Sequence, residues 1–161
     1  MDGKKHKVLL LYPPLGFEAT FVKHIPLSLI YVAVDSVKAG YDIELIDFRI
    51  VKKPMEETLK EKLTEDVMAV GISVISGEPI KDAVRISKIV KRLSPAKVIW
   101  GGSHPTIRPE EIIKQDYVDF VIRGYGSGSF RQLLDKLASD DNNYEGIPGL
   151  CYKKNREVRL S

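Results

Sequence analysis

The chain has 161 residues, 43% of them hydrophobic and 29% charged, the proportions of one globular domain with a substantial core and not of a disordered or fibrous chain. Its formal net charge is +3, part of it in the leader Lys4-Lys5-His6-Lys7, so the body is nearly neutral and no nucleic-acid partner is expected. One cysteine, Cys151, excludes an internal disulfide and any iron–sulfur or other thiolate metal site made by this chain alone, and no apolar run approaches the roughly 18 residues of a membrane span, which together suit a cytoplasmic module with no membrane contact, anchor or signal peptide.

In chain order, Val8-Leu9-Leu10-Leu11-Tyr12 is a continuous apolar run, the form of a central parallel strand buried on both faces. It stops at Pro13-Pro14. The stretch up to His24 has no period and is long for a connection, which marks a candidate binding loop. Pro26 opens a helix in which Leu27, Ile30, Tyr31, Val34 and Val37 share one apolar face at spacings of three and four, and Gly40 closes it. Ile43-Glu44-Leu45-Ile46-Asp47 alternates as a strand nearer the sheet edge does, its Asp47 read as a helix cap or loop anchor. Met55, Leu59 and Leu63 mark the narrow stripe of a surface helix. Val67 to Ser73 is nearly all apolar and central, with the uncharged exit Val74-Ile75-Ser76-Gly77. A helix from about Glu78 to Leu93 is expected to bury Ile80, Val84 and Val90 and to end at Pro95.

Val98-Ile99-Trp100 is a short buried strand that breaks on Gly101-Gly102, where two missing side chains lay the backbone bare. An open loop follows, and Pro109 starts a helix with Glu110 and Glu111 in its first turn, against the positive helix end. Phe120-Val121-Ile122 makes a fifth strand, with Arg123-Gly124-Tyr125-Gly126-Ser127-Gly128 as its exit. Phe130, Leu133, Leu134 and Leu137 then form a helical stripe. Beyond the polar break at Asp140 to Asn143, Gly149 to Tyr152 and Glu157 to Leu160 flank a turn and read as a small hairpin or as the start of a further domain. The expected organisation is a basic leader over 1–6, an α/β domain over 7–140 and an extension over 141–161. Five strands alternating with helices predict an open parallel sheet in the order 2-1-3-4-5, helices on both faces, with ligands held beyond the carboxyl ends of the strands.

Those strand exits exclude several ligands. A dinucleotide or flavin site needs backbone N–H groups at the first exit, and Pro13 and Pro14 have none. A phosphate-accepting receiver would want acidic residues ending the first and third strands, where Leu11, Tyr12 and Ser73 stand. Gly124-x-Gly126-x-Gly128 lacks the full dinucleotide spacing. His6, His24 and His104 have no carboxylate or cysteine at ligand spacing, so no protein-only metal site is expected. What the exits share is small, uncharged, glycine- and hydroxyl-bearing sequence: Pro13-Pro14-Leu15-Gly16-Phe17, Ser73 to Gly77, Gly101-Gly102-Ser103-His104-Pro105-Thr106 and Gly124-Tyr125-Gly126. Such a rim suits a bulky, largely neutral ligand.

Taken together, Leu10-Leu11-Tyr12-Pro13-Pro14, Pro26-Leu27-Ser28-Leu29, Val70-Gly71-Ile72-Ser73, Gly101 to Thr106 with Pro109-Glu110-Glu111, and Val118 to Gly124 resemble the N-terminal cobalamin-binding domain of cobalamin-dependent radical SAM enzymes. The resemblance runs from about Lys7 to Val158. It implies a flavodoxin-like, Rossmann-like domain that holds the corrin over the carboxyl edge of the sheet with the nucleotide tail among the loops. The residues it assigns to cobalamin are Pro13, Pro14, Leu15, Ser73, Ser76, Gly77, Gly101, Gly102, Ser103, His104, Thr106, Gly124, Tyr125 and Gly126, with no catalytic residue. The implied function is cobalamin binding, hence binding of its metal, on behalf of methyl transfer or related chemistry. The iron–sulfur cluster and S-adenosylmethionine would belong to a radical SAM domain in cis or in trans. The alternative is an interaction or scaffold domain of the same fold that has lost the cofactor.

Two departures stand out: Gly124-Tyr125-Gly126-Ser127 replaces the family's Gly-Glu-Gly-Glu, and the chain carries no Cys-x-x-x-Cys-x-x-Cys. Domains that ligate cobalt through imidazole carry Asp-x-His-x-x-Gly directly after the first strand, where this chain has Pro13 to Phe17. Around His24, Val22 takes the place of the aspartate and Leu27 that of the glycine, so no protein histidine is expected on cobalt.

Overall fold

The computed structural model describes residues 6–16 and 24–161. Lys4 and Lys5 of the leader, and Phe17 and Val22 of the first long connection, lie outside the described residues. β1 (Lys7–Tyr12), α1 (Leu27–Lys38), β2 (Asp42–Asp47), α2 (Met55–Lys62), β3 (Val67–Ser73), α3 (Pro79–Leu93), β4 (Lys97–Gly101), α4 (Ser103–Ile107), α5 (Pro109–Ile113), β5 (Phe120–Ile122), α6 (Ser127–Ala138), β6 (Leu150–Lys154) and β7 (Glu157–Leu160) follow one another. β1 to β5 are parallel in the order β2-β1-β3-β4-β5, as the strand–helix alternation predicts. Apolar side chains on both faces of the central strands give the sheet two cores. Leu9, Leu11, Val70, Ile72, Val98 and Trp100 pack against α2, α3 and α5. Val8, Leu10, Ala69, Ile99, Phe120 and Ile122 pack against α1 and α6. No helix among the described residues is long and apolar enough to cross a membrane.

Two further strands complete the sheet. β6 pairs antiparallel with β5, and β7 antiparallel with β6. The reason lies in β5, whose three residues are buried on both faces and need a neighbour on each side; the apolar half of β6, Leu150-Cys151-Tyr152, supplies it and is itself buried. β7 runs back toward the carboxyl edge, where the Ser161 carbonyl accepts from the Arg123 guanidinium at 2.6 Å.

Three local expectations change. The apolar stripe of α1 faces outward: Leu27, Ile30, Tyr31, Val34 and Val37 are exposed, and the buried residues are Leu29, Ala33 and Ser36. Small side chains at 33 and 36 let α1 pack close, so its inner face reads as weakly apolar in the sequence. On α3, Ile80 and Val84 are only partly buried, while Ala83, Ile86, Ile89 and Val90 carry the packing. The open loop after Gly102 contains the helical turn α4, ahead of the helix that Pro109 opens with Glu110 and Glu111 in its first turn. Asp47 is a loop anchor: its carboxylate accepts from the Arg49 backbone N–H at 3.0 Å and from the guanidinium.

The indole of Trp100 is buried and donates to Ser87 Oγ at 2.9 Å, and that hydroxyl donates to the Ala83 carbonyl at 2.7 Å. Ser87→Ala leaves the indole N–H without an acceptor and is expected to cost about 1–3 kcal/mol in urea unfolding. Ser36→Ala is the control, because the buried Ser36 Oγ has no partner among the described residues; it is expected to be neutral or stabilising. Equal losses in both variants would contradict this account of the α3–β4 contact.

Cys151 is fully buried, and burial pushes its thiol up to about 11. A raised value means the thiol stays protonated through neutral pH, and the thiolate is the reactive form. Iodoacetamide at pH 8 should therefore leave native protein unlabelled and label it once urea unfolds it; rapid labelling of the folded chain would contradict the packing of β6.

Candidate functional site

A cavity of about 730 Å³ opens at the carboxyl edge of the sheet, between the strands and α1. Leu10, Gly71 and Ile99, from three adjacent strands, lie at its floor with Phe130 of α6. A Cβ at Gly71 would come within 2.6 Å of Leu10 Cδ2 and 3.4 Å of Phe130 Cε2. Glycine in mid-strand thus keeps the floor low. Leu27, Ser28, Leu29, Tyr31 and Val32 of α1 form one wall, and Ser103, Thr106 and Ile107 of α4 the other. Gly124, Tyr125 and Gly126 close the third side.

The α4 wall is set by a backbone joint. Val74 N–H donates to the Gly101 carbonyl at 2.7 Å, and His104 N–H to the Val74 carbonyl at 3.1 Å. Gly102 has φ of 105°, and a Cβ there would stand 2.7 Å from the Val74 carbonyl oxygen. Both its conformation and its surroundings demand glycine. The Thr106 hydroxyl then ties α4 to the β5 exit: it donates to the Gly102 carbonyl at 2.8 Å and accepts from Gly124 N–H at 3.0 Å. Gly101 differs from Gly102. Its Cβ would meet only the Ile122 carbonyl oxygen, at 3.8 Å.

Among the described residues, no charged side chain lines the cavity. Hydroxyls stand at its edge, where Ser28 Oγ lies 3.4 Å from Ser73 Oγ, and apolar groups surround the mouth. Leu27, Tyr31 and Ile107 are exposed, and Tyr125 is 95% exposed. The Tyr31 and Tyr125 rings meet edge-on at 6.5 Å, bridging α1 and the β5 exit. An apolar interior with a hydroxyl rim suits a large uncharged ligand better than a polyphosphate.

Of the residues expected to bind the ligand, Ser73, Gly101, Gly102, Ser103, Thr106, Gly124, Tyr125 and Gly126 line this cavity. Pro13, Pro14 and Leu15 follow β1 on the same edge but do not line it. Ser76, Gly77 and His104 are also outside the lining; Ser76 Oγ and His104 Nδ1 pair with each other at 3.1 Å. Sequence reasoning missed the floor residues Leu10, Gly71, Ile99, Ile122 and Phe130, the α1 wall, and Ile72 and Ile107. A lone glycine inside the apolar run Val67 to Ser73 was the available signal, since glycine within a strand marks a close approach. Among the described residues no group of three His, Cys, Asp or Glu side chains could hold a metal ion.

Fold and cavity together define a doubly wound α/β module with an apolar cavity at its carboxyl edge. The B12 binding domain family matches residues 19–134, and the chain belongs to that family. It is 32% identical over 164 residues to an uncharacterized methyltransferase of Pyrococcus horikoshii, covering 97% of this chain and 34% of that protein. It is 29% identical over 126 residues to the cobalamin-dependent radical SAM methyltransferase TokK of Streptomyces tokunonensis, covering 77% of this chain and 18% of that one. The chain thus spans about a third or less of these relatives. Among solved structures, the radical S-adenosylmethionine methyltransferase TsrM from Kitasatospora setae, with cobalamin and a 4Fe-4S cluster bound, superposes with a TM-score of 0.82 at 20% identity, over 97% of this chain and 28% of that one. The cobalamin-dependent radical enzyme OxsB, with aqua-cobalamin and S-adenosylmethionine bound, superposes with a TM-score of 0.78 at 19% identity, over 98% of this chain and 22% of that one.

The residues fit cobalamin on their own terms. A glycine-floored apolar chamber can take a flat aromatic end of the cofactor, and a rim of hydroxyls and open backbone can meet an amide-fringed macrocycle. Gly102→Ala is expected to lose about 1–3 kcal/mol in urea unfolding, since it strains a left-handed backbone against Val74, whereas Gly101→Ala should lose little. Equal stability of both variants would contradict the joint.

Proposed function

We propose that this chain is a cobalamin-binding module that serves radical SAM chemistry, methyl transfer or a related reaction. The observation that carries the reading is the uncharged, glycine-floored cavity at the carboxyl edge of a parallel sheet. When bound, cobalamin supplies a cobalt centre for such transfers. The protein's part is to bind, orient and shield. Gly71 and Phe130 would line the space for an inserted end of the cofactor, Ser73, Ser103 and the backbone at Gly101 and Gly124 would offer hydrogen bonds to it, and Tyr31, Tyr125 and Ile107 would cover it from water. An interaction or scaffold domain without cofactor is not favoured, because such a domain has no use for a cavity of this size and shape.

The iron–sulfur cluster and S-adenosylmethionine would be held by a radical SAM domain, in the same longer protein or in a partner chain. Tyr125 stands where the family carries a glutamate and is almost wholly exposed, so that contact with cofactor or catalytic domain would be aromatic and not ionic. A reducing cytoplasm suits this chemistry.

No protein histidine would coordinate cobalt. His6 precedes β1, at the amino edge of the sheet. His24 is exposed, and its carbonyl is held by Arg49. His104 has its Nδ1 engaged with Ser76.

Protein mixed with hydroxocobalamin is expected to keep the corrin absorbance after gel filtration, and Gly101→Leu, which folds but fills the cavity, to lose it. A parent chain that emerges colourless would refute the reading, and a Leu variant that binds equally would move the site. With nitrogen-15 histidine, the electron paramagnetic resonance of the bound Co(II) form should not change superhyperfine splitting; a label-dependent splitting would put an imidazole on cobalt.

A further inference from the structure

The N-terminal end of α1 is poorly supported from within. Its N-cap is Pro26, which offers no side-chain acceptor, and its first turn holds no acidic residue to meet the helix dipole. Of residues 27–32 only Leu29 is buried, because the cavity lies beneath them. The other end is better fixed: Tyr41, just past the helix, donates to Asp135 of α6 at 2.8 Å, and Ala33 and Ser36 pack inward. Among the described residues, this end spans an opening and meets the far side through the Ser28–Ser73 hydroxyls and the edge-on Tyr31–Tyr125 rings.

Arg49 supplies a hold from outside. Its Nε and Nη2 fork onto the Asp47 carboxylate at 2.9 and 2.7 Å, and Nη2 also donates to the His24 carbonyl at 2.7 Å, three residues before the helix. The guanidinium carbon lies 4.4 Å from the centre of the Tyr12 ring. One planar cation therefore joins the exits of β1 and β2 to the approach of α1. The Arg49 and Asp47 side chains are only 11% and 12% exposed, so the pair is shielded from the solvent screening that makes surface ion pairs weak. Only a guanidinium can do this. A lysine ammonium has no rigid fork with which to hold a carboxylate in two places and a carbonyl in a third direction.

We propose that Arg49 is a positioning residue for the ligand wall: by fixing the His24 carbonyl against the sheet edge it sets where Leu27, Ser28 and Tyr31 stand over the cavity. Asp47 orients the guanidinium, and Tyr12 supports its face. The consequence for cofactor affinity rests on the cobalamin reading; the placement of α1 does not.

The test uses Arg49→Lys, which keeps a cation beside Asp47, together with Arg49→Ala. Hydrogen exchange of the ligand-free chain, read by mass spectrometry, is expected to speed up in peptides covering 27–32 and to stay unchanged in β3 and β4. Affinity for hydroxocobalamin, read from its absorbance shift, should weaken roughly tenfold in each. Should the alanine variant fail to fold, the lysine variant carries both readouts. Unchanged exchange over 27–32, exchange raised evenly across the sheet, or affinity equal to that of a parent chain that binds would each overturn the proposal. A parent chain that takes up no hydroxocobalamin would refute the cobalamin reading instead, and the exchange data would still decide the role of Arg49.

Discussion

The contact between Gly102 and the backbone of Val74 is the constraint on which the carboxyl edge depends. β3 and β4 leave the sheet side by side, and their exits exchange hydrogen bonds through Val74, Gly101 and His104. No side chain fits at 102. Because the two exits are locked backbone to backbone, α4 must begin at once, and its Thr106 is brought within reach of Gly124. One wall of the cavity follows from a missing Cβ. The floor follows from another, at Gly71, and the opposite wall is a helix with little beneath its first turns. Space for a ligand is therefore made by subtraction at a few glycines, within a sheet whose central strands are packed on both faces.

This arrangement explains which kinds of binding the chain is suited to. Among the described residues, charge is absent from the cavity lining although 29% of the chain is charged, and ion pairs lie elsewhere, as with Lys91 and Asp119 at the amino edge and Lys7 and Lys62 with Glu44 on β2. Affinity in such a site comes from buried apolar area and from hydrogen bonds to backbone and hydroxyls. Membership of the B12 binding domain family points to cobalamin as that ligand, and the chemistry of the whole protein is a proposal built on a chain that spans about a third or less of its relatives' length.

Much of the fold was legible in the sequence because the central strands are continuous apolar runs, and only a sheet covered on both faces buries such runs. β1, β3 and β5 needed nothing more. The orientation of α1 was not legible: its largest apolar residues form a regular stripe, but Ala33 and Ser36 are what let it approach the sheet, and periodicity ranks faces by size of side chain and not by closeness of fit. The rim of the site was legible because loops that must admit a ligand are written in glycine and hydroxyls. The floor was not, since Leu10, Ile99 and Ile122 look like any core residue until the strand register sets them around Gly71. Pairing of β6 with β5 depended on distant residues, and a five-residue strand next to a turn does not announce its neighbour.

The most direct measurement is a crystal structure of the chain grown with hydroxocobalamin, with cobalt located by its anomalous scattering. A single cobalt peak at the carboxyl edge, over the rim of Ser73, Ser103 and Tyr125, with no histidine nitrogen at bonding distance, is the result this account predicts. A cobalt peak elsewhere on the chain, or a fully ordered cavity with no cobalt beside it, would contradict it.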